Sequence, residues 1–276
     1  MKNVNADYRD LLLELLFDGV TETNARTGVE IKALAGTRTL TFDLVSQTVP
    51  IPANRRYFPR VAAAELAWQL QGTKDPSFIM QYAPKMWEKF VEGGEIKAAY
   101  GYRWLKHFGR DQIAMAIKAL TNDPSNRQVF VSAWDPMTDG LGQPGPKNIP
   151  CPVGFTLSIL GNRLNCSVFV RSSDVFVGLP YDIMCYALLV DAMALPLGVM
   201  PGKLSMSLAH AHLYKPHWEA ADLCAQEKWP AIEPCALPVW SVERIQAEPD
   251  RYVQVVSQLG KQFTQHDFHP VPEVVE

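Results

Sequence analysis

The sequence predicts an α+β protein, one domain spanning residues 1–276 and built around a mixed β-sheet. Three observations carry that expectation. Strand-like and helix-like runs are interspersed without the regular strand–helix–strand rhythm of a parallel α/β sheet. A chain of 276 residues that is 47% hydrophobic is ample for one large core, or at most two domains. No repeat or low-complexity tract divides the chain, and the Gly- and Pro-rich stretch 135–150 reads as a loop rather than an interdomain linker.

The elements follow in order. Residues 6–19 place Leu11, Leu12, Leu15, Leu16 and Phe17 at helical spacing and stop at Gly19. Residues 37–49 alternate through Leu40, Phe42 and Leu44, a strand pattern. Residues 60–72 form a helix with Val61, Leu66, Trp68 and Leu70 on its apolar side, and residues 111–120 form another that stops near Pro124. The run 128–134 is rich in β-formers. Strands over 155–160 and 164–171 meet at Gly161-Asn162, a hairpin signal. A long apolar helix covers 181–195, and a strand covers 203–214.

Net charge is −3 and the pI about 6.1, so no basic field draws the chain to nucleic acid. Five cysteines without paired spacing argue against a disulfide framework, and no His/Cys set has zinc spacing, so no metal is expected. No apolar signal core opens the chain and no run is long enough to span a membrane. The expectation is a soluble, cytoplasmic protein that binds no membrane and no nucleic acid.

Cys151 closes the 135–150 loop in Asn148-Ile149-Pro150-Cys151-Pro152. A free cysteine is usually a small buried hydrophobe. Its place on a loop leading into a strand, with Arg171-Ser172 close behind in sequence, favours a nucleophile instead. A thiolate adds to an electron-poor double bond where a serine alkoxide does so poorly at neutral pH. Cys166 and Cys185 sit inside apolar runs and read as core. Arg171 and Ser172 match a phosphate, and Arg26 and Arg127 are candidates to join them, although single arginines more often make surface ion pairs. Glu65 lies on an apolar helix face, where a carboxylate is costly unless paired or protonated, and a raised pKa suits acid–base work; a glutamate whose head reaches water is the plainer reading. On one strand His210, His212 and Tyr214 face the same side, which leaves a metal site and a sugar clamp both open.

Taken together, these segments resemble the thymidylate synthase family over nearly the whole chain. The resemblance runs through Arg26-Thr27-Gly28, Glu65-Leu66-Ala67-Trp68-Gln69-Leu70-Gln71-Gly72, Tyr100-Gly101-Tyr102-Arg103-Trp104 and Asp123-Pro124-Ser125-Asn126-Arg127. It continues through Pro150-Cys151, Arg171-Ser172-Ser173-Asp174, Gly178-Leu179-Pro180-Tyr181-Asp182-Ile183 and His212-Leu213-Tyr214. It implies a thymidylate synthase-like fold with helices flanking the sheet, and a homodimer packed sheet against sheet. It also implies a pyrimidine nucleotide substrate and 5,10-methylenetetrahydrofolate as one-carbon donor. By the same resemblance Cys151 is the nucleophile and Glu65 the acid–base group. Arg26, Arg171 and Ser172 take phosphate positions, with Arg127 reaching across from the partner subunit. Asp174 and Trp87 lie on the folate side, and His212 and Tyr214 at the sugar 3′-hydroxyl.

The departures bear on substrate. Asp182 stands where the family has Asn, and the carboxylate is the mark of cytidylate hydroxymethylases among relatives of the family. An amide complements the O4 acceptor and N3–H donor of uracil; an acid accepts from the N4 amino group of cytosine and, when protonated, donates to N3. The sequence therefore points to a deoxycytidylate 5-hydroxymethyltransferase acting on dCMP, in the cytoplasm of the host if a phage encodes the chain. The alternatives are a dCMP 5-methyltransferase, a thymidylate synthase acting on dUMP, a CMP hydroxymethylase, and a catalytically silent nucleotide-binding or RNA-binding protein. Further departures are Pro152 for a usual His, Val170 for Gln and Gln128 for a second Arg, and the 269–276 segment resembles the family's closing tail weakly.

Overall fold

The computed structural model describes residues 4–25, 27–44, 57–142, 145–226 and 239–259. Helix α1 (Val4–Asp18) buries Tyr8, Leu11, Leu12 and Leu15. Strands β1 (Val20–Thr23), β2 (Glu30–Ala33) and β3 (Arg38–Asp43) follow. Next come α2 (Pro59–Gln71) and the short helices α3 (Ser77–Met80), α4 (Pro84–Trp87) and α5 (Tyr100–Tyr102). Helix α6 (Gln112–Asn122) starts where the Asp111 carboxylate accepts the Ala114 N–H at 2.9 Å. Strands β4 (Phe130–Ser132), β5 (Pro152–Leu160), β6 (Arg163–Val170) and β7 (Ser173–Asp174) lead to α7 (Leu179–Ala194). Strands β8 (Met200–Leu208) and β9 (Ala211–Tyr214) and helices α8 (Trp218–Gln226), α9 (Val242–Ala247) and α10 (Pro249–Leu259) complete the described chain.

The α+β class holds, but with two mixed sheets in place of one. The larger has the order β3-β8-β6-β5-β4, with β6 and β8 parallel and the other pairs antiparallel. The smaller has the order β1-β2-β9-β7, with only β7 and β9 parallel. The single strand expected over 203–214 is the reason. Its chain breaks at Ala209-His210, so β8 joins one sheet and β9 the other, and His210 leaves the strand that carries His212 and Tyr214. The strand expected over 37–49 runs only to Asp43, and residues 45–49 lie outside the described set. The 155–171 hairpin forms as read, because Gly161 and Asn162 both adopt positive φ (56° and 59°), the pairing a tight turn of the right twist requires. Helix α7 starts two residues early, since Pro180 suits a first turn whose N–H groups have no helical acceptor.

The alternation of the larger sheet divides its faces. Leu40, Met206, Val168, Phe155 and Val131 point inward and are buried; Thr41, Ser205, Ser167, Thr156 and Phe130 form the outer row. Helices α2 and α7 pack together beneath the inner row. Helix α2 is apolar almost all round, as a fully enclosed helix must be, and it closes on Gly72 in the left-handed conformation (φ 59°). Gly101 lets α5 lie directly on it, for a methyl there would overlap the Gln69 carbonyl. Helices α2 and α7 carry the carboxylates of the site.

Candidate active site

Cys151 is held by its backbone before its sulfur does anything. Its N–H donates to the Tyr100 hydroxyl at 2.9 Å and its carbonyl accepts the Arg171 N–H at 2.9 Å. The guanidinium of Arg171 donates from Nε to the Pro150 carbonyl (2.8 Å) and from Nη2 to the Ile149 carbonyl (3.0 Å). That geometry leaves Nη2 4.0 Å from the half-buried Cys151 Sγ, a cation beside the candidate nucleophile. The other side of the loop is fastened too: Asn148 accepts the Ala98 N–H at 3.2 Å, and the Trp134 ring lies 5.7 Å beneath the Arg171 guanidinium.

Opposite the thiol, α2 and α7 present acids to one another. Glu65 is 8% exposed and accepts from Gln69 Nε2 at 3.1 Å. Burial, with the Asp182 charge added, pushes its pKa up to about 8. Asp182 lies in the first turn of α7; burial and the Asp174 charge raise it to about 7. Tyr100 is the group that feels both sides. Burial and the charges of Cys151, Asp182 and Glu65 hold its phenol well above the ordinary value, so it stays a neutral hydroxyl. Cys185, buried on α7, donates from Sγ to Gln69 Oε1 at 3.4 Å. No opposing cation among the described residues pairs with Glu65 or Asp182, the pattern expected of a candidate acid–base site.

A model of the thymidylate synthase family matches residues 6–259. The chain belongs to the thymidylate synthase family. Its activity is accordingly that of a transferase: folate-dependent one-carbon transfer to C5 of a nucleotide, with methylenetetrahydrofolate as donor and cosubstrate.

The remaining expected site residues of this thymidylate synthase-family chain stand as follows. Ser172 is half-buried beside the exposed Arg171. Asp174 pairs with His212 across β7 and β9, and its Oδ1 is engaged by the Phe176 and Val177 N–H groups, both at 3.1 Å. His212 and Tyr214 do share a side of β9, their rings edge to face at 5.1 Å, and both are buried. Among the described residues no His/Cys/Asp/Glu group gathers to hold a metal ion. Trp87 is buried edge-on against Trp68 at 5.1 Å. Arg127 is exposed before β4, and no hydrogen bond or ion pair among the described residues joins it to the cluster. Arg26 and Cys235 lie outside the described residues. An open cleft lined by Arg60, Tyr82, Asp250 and Ser257 contains none of these groups.

Sequence reasoning missed Tyr100, Gln69 and Cys185. Tyr100 stood in a quoted motif without a role, and only the fold places its hydroxyl at Cys151. Gln69 had a legible signal: a polar residue one turn after Glu65 on an otherwise apolar helix. Cys185, read as core, is buried as expected but also hydrogen-bonded.

Proposed function

We propose that this enzyme adds the one-carbon unit to C5 of dCMP and releases 5-hydroxymethyl-dCMP. The reading rests on Asp182, an acid where the family has an amide, half-buried near Glu65 and raised to about 7. At neutral pH such a group exists in both forms. Protonated, it donates to N3 of cytosine and accepts from the N4 amino group. Ionised, it accepts from N4 and stabilises N3 as that nitrogen gains a proton. Facing uracil, the ionised form meets the O4 acceptor and leaves a buried polar group unsatisfied, at about 1–3 kcal/mol.

Cys151 Sγ adds to C6, the proton is taken up at N3, and C5 becomes a carbon nucleophile. Arg171 beside the sulfur favours its attacking form. Glu65, raised to about 8, has the affinity to take and return protons near neutrality. Tyr100 holds the Cys151 backbone and adds a neutral hydroxyl next to C5 chemistry. Arg171 and Ser172, with Arg26 and the partner's copy of Arg127, receive the phosphate; His212 and Tyr214 receive the sugar. C5 would then bond to the folate's one-carbon unit; with loss of the C5 proton and of tetrahydrofolate, water adds to the exocyclic methylene and Cys151 departs. The balance is dCMP, methylenetetrahydrofolate and water to 5-hydroxymethyl-dCMP and tetrahydrofolate.

The folate supplies, when bound, a carbon at the oxidation level of formaldehyde. Two features fit it: Trp87 Nε1 is a buried donor with no partner among the described residues, and Asp174 spends only Oδ1 on its own turn. A homodimer fits the outer face of the larger sheet, where Phe130 and Phe169 lie exposed 6.3 Å apart beside the Thr39–Ser207 and Thr41–Ser205 hydroxyl pairs.

Incubation with dCMP and methylenetetrahydrofolate, followed by product mass, tests the reading. A gain of CH2O is expected. A gain of CH2 makes the enzyme a methyltransferase, and turnover of dUMP alone overturns the cytosine assignment.

A further inference from the structure

Glu65 and Gln69 sit one turn apart on the same face of α2, and Cys185 approaches from α7. Their side chains form a chain of two hydrogen bonds: Cys185 Sγ to Gln69 Oε1 at 3.4 Å, then Gln69 Nε2 to Glu65 Oε1 at 3.1 Å. All three residues are buried. An amide has distinct ends, and each end here meets the partner that suits it. The thiol can only donate usefully to the carbonyl, because burial, then the Glu65 and Asp182 charges, keep it protonated. With the carbonyl so engaged, the NH2 group faces Glu65. Reversing the amide would set its oxygen against a carboxylate oxygen and two donors against each other.

We propose that Gln69, oriented by the Cys185 thiol, is a positioning residue that holds Glu65 Oε1 as an acceptor and confines the Glu65 proton to Oε2. A fixed proton site matters to a group that must take and return protons in one direction. The same N–H favours the ionised carboxylate and so works against the other neighbours of Glu65. Asp182 from α7 repels its charge, and Cys185 from α7 and Tyr100 from α5 face it as neutral groups. Without Gln69, burial and Asp182 act unopposed. The proposal rests on Glu65 as the acid–base group of the preceding section, so its test must stand apart from turnover.

Carbon-13 NMR of protein labelled at the glutamate carboxyls gives that separation. The Glu65 signal is the one lost in Glu65→Gln. Gln69→Met, which keeps the length and removes the donor, should move its midpoint upward by about one pH unit, the scale of one hydrogen bond to a charged group. Cys185→Ser keeps a donor and should leave the midpoint where it is; Cys185→Ala releases the amide and should raise it by a smaller amount. A Gln69→Met midpoint equal to wild type overturns the proposal. If Gln69→Met does not fold, the same two outcomes are read from Cys185→Ala. Rejection of dCMP with the titration shifts intact would defeat the function assigned above and leave the role of Gln69 standing.

Discussion

Two buried ionic clusters lie on neighbouring parts of this fold and are built on opposite rules. In the first, Arg103 (2% exposed) holds Asp139 at 3.0 Å and Asp135 at 3.2 Å, and His107 meets Asp135 at 2.8 Å. Burial pushes Asp135 up, but hydrogen bonds from His107, the Met137 N–H and Thr138, with the Arg103 charge, carry it below the ordinary value. In the second, Asp182 feels the charge of Asp174 and acts on Glu65, no such cation pairs with Glu65 or Asp182 among the described residues, and burial drives both up. One cluster pins the loop that leads to Cys151; the other holds its protons up to near-neutral pH at the proposed site. Compensation makes a scaffold, and its absence makes an acid–base site.

The comparison breaks most visibly at the thiol between the two clusters. Cys151→Ala should cut release of tritium from [5-³H]dCMP by at least about a thousandfold, while leaving the urea midpoint close to wild type. Arg103→Met should sharpen the scaffold side. It strands two buried carboxylates, and urea unfolding should show a loss of about 3–5 kcal/mol.

On the other side, the sign reverses. Glu65 and Asp182 are raised on folding, so the native state binds protons the unfolded chain has lost. Their contribution to stability is therefore fullest below about pH 4, the ordinary carboxylate range, and is lost as pH rises through about 7 and 8. Asp182→Asn should flatten that decline and stabilise the protein at pH 8 by something on the order of 2 kcal/mol, less than the raw shift implies because Asp182 is partly exposed. The smallest effect belongs to the outer sheet. Phe169→Asp should dissociate the proposed dimer, seen by light scattering, with little change in a protomer's far-UV circular dichroism.

How much of this was legible follows from what each feature depends on. Local chemistry showed itself: the α2 apolar run and the Gly161-Asn162 turn depend on neighbours in sequence. The split into two sheets did not, because no Gly or Pro marks the break at Ala209-His210. Cys151 and Glu65 were readable as unusual residues in loop or apolar settings, and Asp182 only as a departure within the family resemblance. Their proximity was not, since Gln69 meets Cys185 and Tyr100 meets Cys151 only through tertiary packing. Asp174 was half read: its turn-capping oxygen is evident only from the backbone it faces.

Base selection by Asp182 is the centre of the account. Its most direct measurement is kcat/KM for dCMP and dUMP, wild type against Asp182→Asn, from about pH 6 to about pH 9. Wild type is expected to prefer dCMP, with a preference that widens as Asp182 ionises above about 7, and Asp182→Asn to shift it toward dUMP by about 10- to 100-fold and remove the pH dependence. A wild-type enzyme that prefers dUMP, or a ratio that neither pH nor Asp182→Asn alters, contradicts it.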